Sequence, residues 1–152
     1  MPVTMEQVRN ALLPEEPDYV DGARLGAEAL PLLRELVDGN DPELATKAAS
    51  LAGLIDDPAA VDVLHAAAES DHAATRVAAA HATRHLTATL ATPVLVRLVA
   101  DDDAGVRKVA IGAVPASASP ELRSALDRLV KEDSHEPLRA MAQVAAERVR
   151  RK

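Results

Sequence analysis

A repeat of 31 residues constrains this chain more than any other feature of its sequence. Stepping by that interval aligns residues into columns, of which the clearest is a leucine column at Leu33, Leu64, Leu95 and Leu126. An alanine column, whose last step is 32 residues, contains Ala48, Ala79, Ala110 and Ala142. Within each repeat the apolar residues recur at the three- and four-residue spacing of a buried helix face. This register predicts a stack of helical hairpins, each of which buries its apolar face against its neighbours.

The alternate helices also share a motif: an acidic residue, two spacers, an aliphatic residue, a basic residue and an alanine-rich turn. It is clearest at Asp103, Val106, Arg107 and Ala110, and it recurs at Leu138, Arg139 and Ala142. Thr75 replaces the aliphatic residue before Arg76, and Ala45 stands where the arginine would be. Over roughly residues 26–150 the pattern resembles the short HEAT-like repeats of the phycobilisome lyase type. The resemblance implies a right-handed superhelix with the second helix of each pair on the concave side. It implies no lyase activity, because the motif is structural.

We therefore expect a single all-α domain over residues 1–152, an α-solenoid of about four helical hairpins with an N-terminal cap. Residues 1–24 would form that cap and an acidic loop, and the hairpins would occupy residues 25–55, 56–86, 87–117 and 118–152. Thr4 and Gln7 predict a capping box at the first helix, whose apolar positions are Met5, Val8, Leu12 and Leu13. The second helix is expected to run from about Arg24 to Asp38, and the last from about Glu136 to Arg150.

Several prolines are predicted to stand at helix starts. Asp41-Pro42, Asp57-Pro58 and Ser119-Pro120 each combine a capping side chain with a proline suited to the first helical position. Pro31 and Pro93 would lie in or near the first turns of their helices. Pro115 would end the helix that precedes it after Val114.

Composition excludes several kinds of site. Phe and Trp are absent and Tyr19 is the only aromatic residue, so the core must be built from Leu, Val, Ile and Ala. Cysteine is absent, which excludes disulfides, thiolate metal sites and cysteine nucleophiles. The sequence contains neither a run of about 18 apolar residues nor a signal peptide. We therefore expect a cytoplasmic protein.

Charge is divided unevenly along the chain. Residues 1–72 carry a formal charge of −11 and residues 73–152 one of +4, which together give the net −7. This division is typical of ordinary solvated helix faces, and a partner with a matching dipole is the alternative. The basic ending at residues 148–152 would either contact an acidic or phosphate group or complement the dipole of the last helix.

The candidates for chemistry are few. His81 and His85 have the spacing at which two imidazoles on one helix can face the same metal ion. The equivalent positions on the neighbouring helices are Ser50 and Gly112, which leaves the pair without a third ligand. We therefore expect no metal, no cofactor and no enzymatic activity. Nucleic-acid binding also fits poorly, because the chain is acidic overall and lacks Phe and Trp for stacking on bases.

The function that best fits a helical-repeat chain of this kind is that of a binding scaffold or adaptor for a protein or peptide. The alternative that stays open is a lyase-like or chaperone-like accessory subunit of an enzyme, using the same surface. Tyr19 in the acidic loop is a second candidate anchor, although a lone Tyr beside a helix start is more often packed on its neighbour. The residues expected to face a partner on the concave side are Thr46, Lys47, Ser50, Val77, His81, His85, Lys108, Val109, Met141 and Val144.

Overall fold

The computed structural model describes residues 2–150, apart from the side chain of Arg150, and within this range it contains helices and connecting turns only. The α-helices are α1 Met5–Leu12, α2 Tyr19–Gly22, α3 Leu30–Val37, α4 Pro42–Leu54, α5 Ala60–Ala68, α6 Ala73–Ala82, α7 Ala88–Leu98, α8 Ala104–Ala113, α9 Pro120–Glu132 and α10 Glu136–Arg150. Short 3-10 helices occupy Ala23–Leu25, Ala27–Ala29 and Thr83–His85. None of the helices in this range is long and apolar enough to cross a membrane.

From α3 onward the helices form two layers. The first-helix layer contains α3, α5, α7 and α9, and the second-helix layer contains α4, α6, α8 and α10; within each layer, successive helices are in contact. Each helix also contacts its hairpin partner across the layers. The arrangement is the predicted α-solenoid.

The core lies between the layers and follows the sequence columns. All four leucines of the leucine column and all four alanines of the alanine column are completely buried. Because alanine side chains are small, the alanine column lets the second helices approach one another closely. At Gly53 of α4 the approach leaves no room for a side chain, because a Cβ atom there would lie 2.7 Å from the Cβ of Ala82 in α6.

Most of the predicted helix boundaries are confirmed. Thr4 and Gln7 form the capping box of α1, and Asp41 and Ser119 cap α4 and α9 with proline in the first helical turn. At Asp57-Pro58 only the first part of the prediction holds: the Asp57 carboxylate accepts a hydrogen bond from the Ala59 backbone N–H at 2.8 Å, but α5 begins at Ala60 and Pro58 lies in the turn before it. Pro93 lies inside α7 rather than near its start.

The second predicted helix begins later than expected. Instead of one helix from Arg24 to Asp38, the chain forms α2, two 3-10 turns and then α3 from Leu30. Gly26 separates the two 3-10 turns with a φ of +77°, a conformation that glycine adopts without steric cost and that cannot continue a right-handed helix. The first hairpin therefore starts at Leu30.

The N-terminal residues fold against the first hairpin. Of the predicted apolar positions of α1, Val8 and Leu12 are buried, whereas Leu13 follows the helix and is 71% exposed. In α10, Leu138, Ala142, Ala145 and Val149 are all buried. Residues 151–152, which the predicted basic ending includes, lie outside the described residues.

Candidate protein-binding surface

Two arginines that recur in the sequence join successive hairpins and are therefore not free to meet a partner. Arg76 of α6 binds Asp101, with its Nε 2.9 Å from Oδ2, and Arg107 of α8 binds Asp133 in the same way at 2.8 Å. Both guanidinium groups also donate to backbone carbonyls of the turn before their own helix, at Ser70 for Arg76 and at Asp101 and Asp102 for Arg107. The motif arginine is thus a structural clamp between hairpins.

The carboxylate of Asp133 is held in its charged form by this clamp. Burial alone would raise the pKa of Asp133, but hydrogen bonds from Arg107 and from the His135 backbone N–H, with the positive charge of Arg107, hold it below its ordinary value. Arg139 of α10 donates to the backbone carbonyl of Asp133, so the same acidic turn is bound from both sides.

The N-terminal segment occupies the surface of α4 that was expected to face a partner. The Nζ of Lys47 donates to the carbonyls of Leu12 and Pro14, at 3.3 and 2.8 Å, and only 13% of its side chain is exposed. The Thr46 hydroxyl lies 2.9 Å from the Thr75 hydroxyl in the contact between α4 and α6. The prediction that these two side chains face outward is therefore wrong, because internal hydrogen bonds already hold them.

Tyr19 and Ser50 complete this N-terminal contact. Both residues are half-buried, and the Tyr19 hydroxyl is hydrogen-bonded to the Ser50 side chain. Burial raises the pKa of Tyr19, and the bond to Ser50 opposes that shift only in part. Ser50 is therefore part of the α4 surface on which α2 packs. Tyr19 packs against that surface and does not project as an anchor.

The exposed surface of α6 and α8 is cationic. The sequence of α6, its following 3-10 turn and α8 contains no Asp or Glu. His81, Arg84 and Lys108 are exposed, and neither Arg84 nor Lys108 has an ion-pair or hydrogen-bond partner among the described residues. Arg84 reaches across to α8, since a Cβ atom at Gly112 would lie 3.6 Å from its guanidinium nitrogen. The exposed surface of α6 and α8 therefore carries two cationic side chains without internal partners, those of Arg84 and Lys108.

Next to these cations lies an apolar groove of about 320 Å³ between α8 and α10. We call it the α8/α10 groove; it is lined by Ile111, Gly112, Ala140, Met141, Val144, Ala145 and Arg148. Val144 is 64% exposed and Met141 is half-buried. The Arg148 guanidinium is fixed by a 2.7 Å bond to the Val114 carbonyl, so a third cation stands at the groove.

The remaining predicted residues divide between core and surface. Val77 and Val109 are half-buried and pack on the core, so they support the surface more than they form it. His85 lies in the 3-10 turn after α6, out of α-helical spacing with His81, and lines a separate cleft with Asp56 and Asp57. Among the described residues, no group of three His, Cys, Asp or Glu side chains is placed to hold a metal ion.

Sequence reasoning did not assign Arg84 to this surface, and it named Arg148 only as part of the basic ending at residues 148–152. A signal for both was present. Arg84 follows His81 by three residues and Arg148 follows Val144 by four, the spacings that place side chains on one helix face.

Comparison with known proteins gives one family. A family model of HEAT repeats matches residues 29–114, which run from the residue before α3 to the residue after α8. No curated protein matches the chain significantly. The finer resemblance to repeats of the phycobilisome lyase type stays a prediction.

Proposed function

This chain belongs to the HEAT-repeat proteins, and from that premise we propose that it is a non-catalytic scaffold that binds a protein segment on the exposed face of α6, α8 and α10. HEAT repeats and related solenoids generally present an extended surface for binding other proteins. The N-terminal segment covers much of α4, so the proposed surface is narrower than the one expected from the sequence.

The observation that carries the proposal is the α8/α10 groove with its free cations. Apolar side chains that are exposed beside unpaired charges are characteristic of interaction sites, because the apolar part supplies affinity and the charges supply orientation and specificity. Arg84 and Lys108 have no hydrogen-bond or ion-pair partner among the described residues, and Val144 and Arg148 both line the adjoining groove. The preferred segment would therefore be acidic with aliphatic side chains.

Affinity capture with matched variants tests this proposal. The binding variant combines His81→Asp with Val144→Asp, since both positions are exposed and neither change disturbs the core. Thr89→Asp on α7 is the control, because it adds a negative charge on the exposed part of the first-helix layer. We expect proteins captured by the unaltered chain and the control to be lost from the double variant, with affinity reduced by more than about 2 kcal/mol.

Circular dichroism must first show that both variants keep the helical fold. A folded double variant that captures the same proteins with unchanged affinity contradicts the proposed surface. The double variant should also lose most of the salt dependence of association, because its two added carboxylates offset the positive charge of Arg84 and Lys108 that steers an acidic partner.

A further inference from the structure

The chain carries a surface that complements its own groove. Three large hydrophobic side chains are exposed among the described residues: Leu13 at 71%, Val20 at 73% and Val144 at 64%. Leu13 and Val20 bound the segment LPEEPDYV, and the acidic segment, residues 13–21, contains four carboxylates and no basic residue. Val144 lies in the α8/α10 groove, where the free charges are positive.

The two surfaces of one molecule cannot meet. Lys47 and Ser50 hold the N-terminal segment on α4, and α6 separates α4 from α8 in the second-helix layer. At the usual spacing of about 10 Å between packed helices, α4 and α10 are roughly 30 Å apart. A contact between the acidic segment and the groove therefore requires two copies of the chain.

We propose that the chain forms a two-fold dimer in which each copy places its acidic segment against the α8/α10 groove of the other. The inference rests on the proposed function, since it names an occupant for the same groove. Val20 would pack on Val144 and Met141, while Glu15 and Glu16 would face the cations at Arg84, Lys108 and Arg148. Both surfaces belong to the same side of the stack, one bound to α4 and the other between α8 and α10, so an antiparallel pairing forms the contact twice.

Of the four carboxylates, Glu15 and Glu16 have the fewest internal contacts. Asp18 accepts a hydrogen bond from the backbone N–H of Asp21 as the cap of α2, and Asp21 lies 3.8 Å from Arg24 in an exposed ion pair. No hydrogen bond or ion pair engages Glu15 or Glu16 among the described residues, which leaves both available to a second copy.

Sedimentation equilibrium of the full chain tests the dimer directly. We expect a concentration-dependent rise in mass from 16.0 kDa toward twice that value, shifted back toward the monomer as salt is raised. Val20→Asp and Val144→Asp should each weaken association at least tenfold, whereas Thr89→Asp should leave it unchanged. A mass of 16.0 kDa at every concentration and salt level overturns the proposal.

A mixture of the two variants separates this arrangement from other dimers. In an equimolar mixture, the Val144→Asp chain supplies an intact acidic segment and the Val20→Asp chain an intact groove, so the mixed dimer keeps one complete contact. We expect the mixture to associate more strongly than either variant alone. Association that is insensitive to both substitutions, or a mixture that behaves as the average of its components, overturns the proposal.

The two proposals fail separately. If the chain is monomeric but Val144→Asp loses captured proteins, the groove is a binding surface for other chains and the dimer is wrong. If the mixture recovers association but the captured proteins are unaffected by His81→Asp with Val144→Asp, the dimer stands and the scaffold proposal fails.

Discussion

The ion pair between Arg107 and Asp133 is buried on both sides, with 10% and 1% of the two side chains exposed. Replacing Asp133 with alanine would leave the Arg107 charge in that environment without its counter-charge. We expect Asp133→Ala to lower the free energy of unfolding by about 3 kcal/mol, because an uncompensated buried charge is strongly unfavourable. Urea denaturation measures this.

The control is the exposed pair between Arg97 and Glu69, whose nearest atoms are 4.0 Å apart. Glu69→Ala should change the unfolding free energy by less than about 1 kcal/mol, since water screens exposed pairs. Equal losses in the two variants would contradict a special role for the buried clamp.

The lowered pKa of Asp133 sets the pH range in which this clamp stabilises the fold. Its contribution is complete above the unfolded-state pKa of about 3.9 and is lost as pH falls through the lower folded-state pKa. The difference in stability between the unaltered chain and Asp133→Ala should therefore be constant near neutral pH and shrink in acid below about pH 4. A difference that instead grows in acid would reverse the assigned sign.

Alanine substitutions at two glycines of the second-helix layer are expected to change stability in opposite directions. Gly53→Ala would place its Cβ 2.7 Å from the Cβ and 3.0 Å from the carbonyl oxygen of Ala82, so α4 and α6 would have to separate. We expect a loss of about 1–3 kcal/mol from this overpacking. Gly112→Ala meets only an Arg84 nitrogen at 3.6 Å, and should be neutral or stabilising by up to about 1 kcal/mol. Thermal melts of the two variants compare them, and Gly53→Ala should have the lower midpoint.

His81 and His85 are predicted to bind zinc only weakly. Both are exposed, they lie in different helical elements, and the described residues supply no arrangement of three ligands around them. Two imidazoles alone leave the ion largely hydrated. Calorimetric titration should show no tight site, and micromolar affinity abolished by His81→Ala would contradict this.

At the scale of elements, the N-terminal segment is a cap whose removal should weaken the stack without unfolding it. Deleting residues 1–24 exposes the surfaces of α3 and α4 on which Val8 and Leu12 are buried and releases Lys47 from its two carbonyl partners. We expect lower thermal stability but retained helicity in the remaining hairpins, measured by far-ultraviolet circular dichroism. A fully unfolded truncation product would show that α1 and α2 are essential to folding.

The repeated helices were predictable because their signal is periodic. Each leucine of the column and each alanine beside it occupies the same buried position in its hairpin, so one register describes all four hairpins. The N-terminal region has no such repetition. Neither the positive φ at Gly26 nor the covering of α4 by residues 12–22 follows from helical spacing, because both depend on how an unrepeated segment packs.

The surface was predicted only in part for a related reason. A helical wheel identifies which residues leave the core, but it does not show what covers them afterwards. Lys47 was expected at the surface and is instead bound by two carbonyls, while Arg84 becomes part of the surface by reaching toward Gly112 on the next helix. The partners of Arg76 and Arg107 lie 25 and 26 residues later, in turns outside the helical pattern.

At the scale of the whole molecule, each hairpin contacts mainly its neighbours. A destabilising substitution should therefore loosen only the hairpins next to it. In Asp133→Ala, hydrogen exchange should accelerate in α8, α9 and α10, which meet at the broken clamp, while α4 keeps its protection. Mass spectrometry of exchanged peptides measures this along the chain. A uniform loss of protection from α4 to α10 would show instead that the solenoid opens as one cooperative unit.

The contact between Tyr19 and Ser50 also determines which structural change the intrinsic fluorescence of this protein follows. With no Trp and a single Tyr, ultraviolet fluorescence comes from one ring, and that ring lies where α2 meets α4. Emission will therefore follow the docking of the cap, whereas circular dichroism follows the helices of the whole stack. Denaturation curves recorded by the two signals should separate if the cap detaches first, so an unlabelled sample can distinguish cap release from unfolding of the repeats.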